Sequence, residues 1–242
     1  MTLDLNETIQ PYKHFEGKNI EQMPLLIKEG RIPISVTGLM QRRLYSGKQD
    51  WKNNYFDTGD AFVYHPDGRV KIVLDAPPLR TLNPESTLKN GGLVLEDGVY
   101  ETLLGPEFVR DTLTDMLEHD LSAEEVKTHP IWRAFARDYA LLNEYTDRMF
   151  AEMKKEYNYE IAMSVYLPSK EKVPTLRAAY VYGLEVRSQL GSWGGLDFGS
   201  GRLVGVAPEA LSASGNASQF NLEKALLLVN ERLLASGLKL FN

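Results

Sequence analysis

Seven of the chain's 19 glycines fall between Gly183 and Gly205, at 183, 191, 194, 195, 199, 201 and 205. Glycine admits positive φ and lets the backbone approach a ligand or a second strand closely. Set among these glycines are Glu185, Arg187, Trp193, Asp197 and Phe198. A rigid aromatic and a few charges on such a backbone make a binding loop. The same composition also builds a tight β-turn region with no ligand.

The rest of the composition sets bounds on chemistry. The 242 residues are 43% hydrophobic and 25% charged, enough to bury a sizeable core without staples. Net charge is −6, which favours solubility and weighs against a broad phosphate-binding face. With no cysteine, disulfides, thiolate zinc sites, iron–sulfur clusters and cysteine nucleophiles are excluded. His14, His65, His119 and His129 show neither HxH nor HExxH spacing. The N-terminus lacks a basic region followed by an apolar run, and no run of 18 apolar residues occurs. The expectation is a soluble cytoplasmic protein, in which the sequons at Asn6 and Asn216 are chance matches.

Local signals order the chain into one α+β domain over residues 1–242. A helical N-terminal segment takes residues 1–50. Asn19 with Gln22 is a capping-box-like start, Gly30 a stop, and Ser35 or Thr37 caps a second helix to about Ser46. Residues 51–104 carry hairpins. Ala61 to Tyr64 leads into His65-Pro66-Asp67-Gly68, a turn by proline and Asp-Gly chemistry. Val70, Ile72 and Leu74 then alternate with Arg69, Lys71 and Val73. A second hairpin is expected around Asp97-Gly98, between Leu93 and Tyr100. Residues 105–157 read as helical. Gly105-Pro106 opens a helix through Met116, Ser122 with Glu125 is a capping box, and Pro130 starts a long helix to Tyr157. Residues 158–242 return to strands at Ile161–Leu167, Leu176–Val186 and Leu203–Val206, then a C-terminal helix capped by Asn221. Helices and strands are segregated, so the expected fold is α+β, with a mixed or largely antiparallel sheet packed against the long central helix and the C-terminal helix.

Three function classes have residues to support them. The first is a binding or interaction protein using the loop 191–201, with Trp193, Asp197, Phe198 and Arg202 as contacts. Trp and Tyr supply rigid amphipathic contact area. Tyr180 and Tyr182 share a strand face with core packing as their expected role. The second is a metal-dependent hydrolase or nuclease, since Mg²⁺ or Mn²⁺ needs converging hard oxygen ligands. Asp57, Asp60 and Asp75 lie near strand ends, and Glu185 and Arg187 fall two apart on an expected strand. The third is a helix–turn–helix DNA-binding protein, with Leu26, Gly30 and Val36 at its core positions and Gln41, Arg42 and Arg43 on the second helix.

Thr58-Gly59-Asp60, Pro66-Asp67-Gly68-Arg69 and Ile72-Val73-Leu74 resemble one stretch of the adenylate-forming enzymes. The resemblance implies that Asp60 would hold nucleotide ribose hydroxyls. The chain lacks that family's phosphate loop and has Ala76-Pro77-Pro78 where its arginine follows. The dinucleotide fingerprint also fails at Gly199-Ser200-Gly201, because a strand rather than a helix follows. No Gly-x-Ser-x-Gly elbow is present. With no catalytic constellation complete, the binding protein leads. A protein or small-molecule partner is favoured over nucleic acid, and no membrane association is expected.

Overall fold

The computed structural model describes residues 3–5, 11–168 and 171–208. In chain order the elements are β1 (Tyr12–Glu16), α1 (Asn19–Lys28), β2 (Ile32–Pro33), α2 (Val36–Tyr45), α3 (Asp50–Asn53), β3 (Phe56–Tyr64), β4 (Arg69–Val73), α4 (Pro77–Arg80), β5 (Leu88–Lys89), β6 (Gly92–Val94), α5 (Val99–Thr102), β7 (Glu107–Val109), α6 (Ala123–Thr128), α7 (Pro130–Ala136), α8 (Tyr139–Tyr157), β8 (Val165–Tyr166), β9 (Thr175–Val181), β10 (Leu190–Gly191) and β11 (Arg202–Val206). Turns of 3₁₀ helix occupy Arg110–Met116 and Leu184–Val186. The C-terminal helix expected from Asn221 lies outside the described residues.

The fold is α+β around one mixed sheet, whose main path runs β1-β11-β3-β9-β10-β8. β3 is central: antiparallel to β4 and β9, and parallel to β11 at Leu203 and Asp57. β1 pairs antiparallel with β11 from Tyr12 and Val206 to Glu16 and Arg202. Strands from distant parts of the chain thus close on each other, and β1 stands as a strand within the N-terminal segment expected to be helical. Two-residue periodicity assigns the faces. Phe56, Phe62 and Tyr64 of β3 join one core with Val70 and Ile72 of β4 and Ala179 and Val181 of β9. Ala61 and Val63 join the opposite core with Val73, Leu176 and Ala178.

Each face is covered by different helices. On the first lie α2, α7 and α8, through Leu39, Met40, Trp132, Phe135, Leu142, Tyr145 and Met149. On the second lie α1 and α4, through Ile20, Met23, Leu26 and Leu79. Gly205 admits α1 to the sheet, since a Cβ there would stand 3.0 Å from Leu26 and 2.9 Å from Phe15.

Several caps follow the sequence. Ser35 Oγ accepts from the Gly38 N–H, Ser122 and Glu125 form a reciprocal capping box, and His129 accepts from the Ile131 N–H. Gly30, at φ 70°, ends α1 by donating to the Ile27 carbonyl. Other expectations are corrected. Asn19 does not cap α1; Lys18 occupies that place without a side-chain bond. The long helix from Pro130 to Tyr157 is two helices. Arg137 turns left-handed at φ 62°, and Asp138 caps α8 by accepting from the Ala140 and Leu141 N–H groups. Gly105-Pro106 opens strand β7 rather than a helix. Strand pairing brings that segment so close to β4 that a Cβ on Gly105 would meet the Ile72 carbonyl at 1.8 Å. The second hairpin turns at Asn90-Gly91, both at positive φ, between β5 and β6. Residues after Gly98 form the short helix α5 instead of a strand. Among the described residues, no helix is long and apolar enough to cross a membrane.

An aromatic bowl with a carboxylate floor

The pairing of β3 with β9 builds a concave site at one end of the sheet. Asp57 stands opposite Tyr180 in that register, on the face shared with the second core. Tyr55 lies two residues before Asp57 and Tyr182 two after Tyr180, so strand alternation brings three tyrosines and one aspartate to the same side. The loop from β10 to β11 closes the rim with Trp193, Gly194, Gly195, Phe198, Ser200 and Gly201. The enclosed space is about 290 Å³, at the small end of ligand sites.

The tyrosine rings brace one another. Tyr182 lies 5.2 Å from Tyr180 at 78° and 5.8 Å from Tyr55 at 56°. The first is an edge-to-face contact, which suits the ring quadrupole, and the second is tilted. Trp193 and Phe198 are 54% and 63% exposed, so the loop holds its largest apolar side chains toward solvent.

Backbone bonds tie this loop down at separate points. Gly17 donates to the Gly201 carbonyl at 2.9 Å, Ile20 to Leu196 at 3.0 Å, and Leu196 to Gly91 at 2.7 Å. Leu196 itself is buried in the second core. The glycines are required by close approach. A Cβ on Gly191 would fall 2.6 Å from the Tyr180 hydroxyl, and one on Gly201 would fall 2.5 Å from the Gly17 carbonyl. Both are closer than a real Cβ contact allows.

Asp57 is the chemical centre of the bowl. Its side chain is buried, accepting from the Arg202 N–H at 2.8 Å and from the Asn19 amide. No cationic side chain among the described residues forms an ion pair with it. Burial therefore pushes its carboxyl up to about 6, against the two hydrogen bonds that favour the charged form. Burial also raises the hydroxyls of Tyr55 and Tyr180, with the Asp57 charge adding to the effect, so both stay protonated donors.

The structure divides the expected site residues. Trp193 and Phe198 line the bowl, as does Asp57, which the sequence reading placed with the metal ligands. Asp197 is exposed beside the bowl without lining it, and Arg202 lays its guanidinium 5.0 Å over the Tyr55 ring. Tyr180 and Tyr182, expected in the core, form its wall. Tyr55 and Ser200 were missed. The i, i+2 spacing of Tyr55 and Asp57 was the available signal for the first.

The other carboxylates do not converge with Asp57. Asp60 is fully buried and accepts from the Val36 and Asp75 N–H groups at 2.8 and 2.7 Å, and from Arg137 at 3.0 Å. Thr58-Gly59-Asp60 is a bulge in β3, and Asp60 fastens the start of α2 to it, which leaves no open carboxylate for a ribose. Asp75 is exposed and paired with Arg80. Glu185 and Arg187 sit on a 3₁₀ turn and its left-handed end, not on a strand, and Arg187 pairs with Asp120. No group of three His, Cys, Asp or Glu suited to a metal occurs among the described residues.

The helix–turn–helix geometry is also absent. β2 separates α1 from α2 and hydrogen-bonds into the sheet, and the two helices serve opposite cores. Gln41 is exposed, while Arg42 lies 5.2 Å over the Tyr12 ring. Arg43 is fully buried, donating to the carbonyls of Trp51, Asn54 and Tyr182 and to the hydroxyls of Tyr145 and Ser188. It binds the fold together and faces no groove.

Neither a family model nor a curated protein matches the sequence. A solved structure described as "Accommodation of massive sequence variation in Nanoarchaeota by the C-type lectin fold" does superpose on it. The TM-score is 0.62 at 16% identity, covering 84% of this chain and 100% of that one. At that identity the similarity is one of architecture, and the chain has an α+β frame of the C-type lectin kind.

Proposed function

We propose that this is a binding protein whose ligand seats in the aromatic bowl, against Tyr55, Tyr180, Tyr182, Trp193 and Phe198 and above Asp57. The observation that carries this reading is their convergence: five aromatic rings and one buried carboxylate around one concavity, beneath a loop tied to its neighbours by backbone bonds. Rigid aromatics lose little entropy on binding, and a fastened loop needs little ordering, so such a site is organised before its ligand arrives. The structural neighbour's description credits the C-type lectin fold with accommodating massive sequence variation. A frame that accommodates sequence variation suits a protein whose loops carry recognition.

A larger cleft, about 480 Å³, runs between Lys52, Glu152, Lys155 and Tyr157. Lys52 is already paired with Glu152 at 2.7 Å and Lys155 with Glu156 at 2.8 Å, which leaves less for a ligand to satisfy. A fragment screen followed by the indole N–H resonances separates the two. Trp51 and Trp132 are buried and donate to the Leu5 and Met163 carbonyls, so they serve as internal controls. Hits should move the Trp193 resonance alone, compete with one another, and be lost in Tyr182→Ala, which keeps the Trp193 reporter. Hits that map to the Lys52–Glu152 cleft, or none that move Trp193, would overturn the assignment.

A further inference from the structure

We infer that the bowl selects organic cations with a methylated ammonium head, a conclusion that rests on the bowl being the binding site. Two independent observations point there. Five aromatic rings line the space, and the face of an aromatic ring attracts a cation within about 6 Å of its centroid. The floor is a carboxylate that is only 6% exposed and has no ion-pair partner among the described residues. A neutral ligand would leave that carboxylate buried without a counter-charge, and an anion would oppose it. A bare ammonium or metal ion is strongly hydrated and gains little from ring faces. A methylated ammonium spreads its charge over methyl groups that pack against aromatic carbon, so it uses the walls and the floor together.

The protein supplies a precedent for the wall chemistry, since the Arg202 guanidinium already rests 5.0 Å over the Tyr55 ring. The net charge of −6 adds a general attraction for cations. The groups that face Asp57 are Tyr55 beside it in sequence, Tyr180 from β9, the Asn19 amide from α1 and the Arg202 backbone from β11. None of them neutralises it.

The test compares choline with 3,3-dimethylbutan-1-ol, which has the same shape without the charge, on the full chain at pH 7.5. Binding is read from the Trp193 indole resonance. Choline should bind saturably, and at least about tenfold more tightly than the alcohol, the order expected from a cation over several rings. Asp57→Asn should narrow choline's preference severalfold, leaving the part the rings supply, while the alcohol's affinity stays the same. A trimethyllysine peptide in parallel distinguishes sources. Tighter binding than choline assigns the head group to a protein side chain, and equal binding assigns it to a free small molecule. Equal affinity for choline and the alcohol in the wild type would overturn the cation inference and leave the bowl as an apolar binding site. No Trp193 response to choline, alongside fragment hits that do move Trp193, would overturn the inference in the same way. Silence from Trp193 toward every compound would remove the underlying reading as well.

Discussion

Asp57 should cost the fold stability, and its replacement should return it. The ordinary carboxyl value of 3.8 is raised to about 6 in the folded protein, chiefly by burial. Between about pH 4 and pH 6 the folded chain therefore keeps a proton that the unfolded chain has released. Stability falls as pH rises through that window and levels off above it. The shift of about two units corresponds to roughly 3 kcal/mol at neutral pH, taking 1.36 kcal/mol per unit. Asp57→Asn removes the charge with little change of shape. Its amide oxygen can still accept the Arg202 N–H. The Asn19 amide can turn so that Oδ1, a buried atom with no partner in the wild type, accepts from the new side chain.

The assay is urea denaturation of both proteins from pH 4 to pH 8. At pH 7.5 the variant should be more stable by about 2–3 kcal/mol, roughly 4–12 °C in Tm for a chain of this length. The difference should shrink to a few tenths of a kcal/mol near pH 4, where the folded carboxyl is protonated and the unfolded one about half so. A variant less stable than the wild type, or an offset independent of pH, would refute the account of a penalised buried charge. A gain in stability combined with lost choline binding would show a destabilising group retained for recognition.

Other sites make separate predictions. Arg43→Met should lower stability by at least about 3 kcal/mol in chemical denaturation, because several buried carbonyls and hydroxyls lose their donor together. A loss under about 1 kcal/mol would refute the hub. Asp60→Ala should cost about 3 kcal/mol by releasing Val36, Asp75 and Arg137, while Mn²⁺ and EDTA leave the wild-type Tm unchanged. A Tm rise with Mn²⁺ that Asp60→Ala abolishes would restore the metal reading. Trp193→Ala and Phe198→Ala should each change stability by no more than about 0.5 kcal/mol but weaken bowl ligands about tenfold, measured by isothermal titration calorimetry. Gly105→Ala should destabilise by more than about 2 kcal/mol, since its Cβ would overlap the Ile72 carbonyl.

What was legible in the sequence was local, and what was not depended on partners far along the chain. The faces of β3 and β4 follow from alternation, because Val70 and Ile72 must leave the sheet opposite Val73 whatever they pack against. Ser35, Ser122 and His129 cap helices by bonds to residues two or three positions away. The break between α7 and α8 carried a local signal too: Asp138 is a strong N-cap, but an apolar stripe continuing through Leu142 and Tyr145 hid it. Gly105-Pro106 was misread as a helix start because pairing with β4 decides its conformation, and the second hairpin was placed at Asp97-Gly98 although Asn90-Gly91 carried the stronger local turn signal. The site shows the same division most sharply. From sequence, Asp57 belonged to a metal-site hypothesis, and the glycine-aromatic loop to a rival binding hypothesis. Only the register that sets Asp57 against Tyr180, with Gly17 and Leu196 pinning the loop, puts both features around one space. Once they share it, the carboxylate needs no second acid to explain it. Its missing counter-charge becomes a property of the bowl, and a cationic ligand is what would supply it.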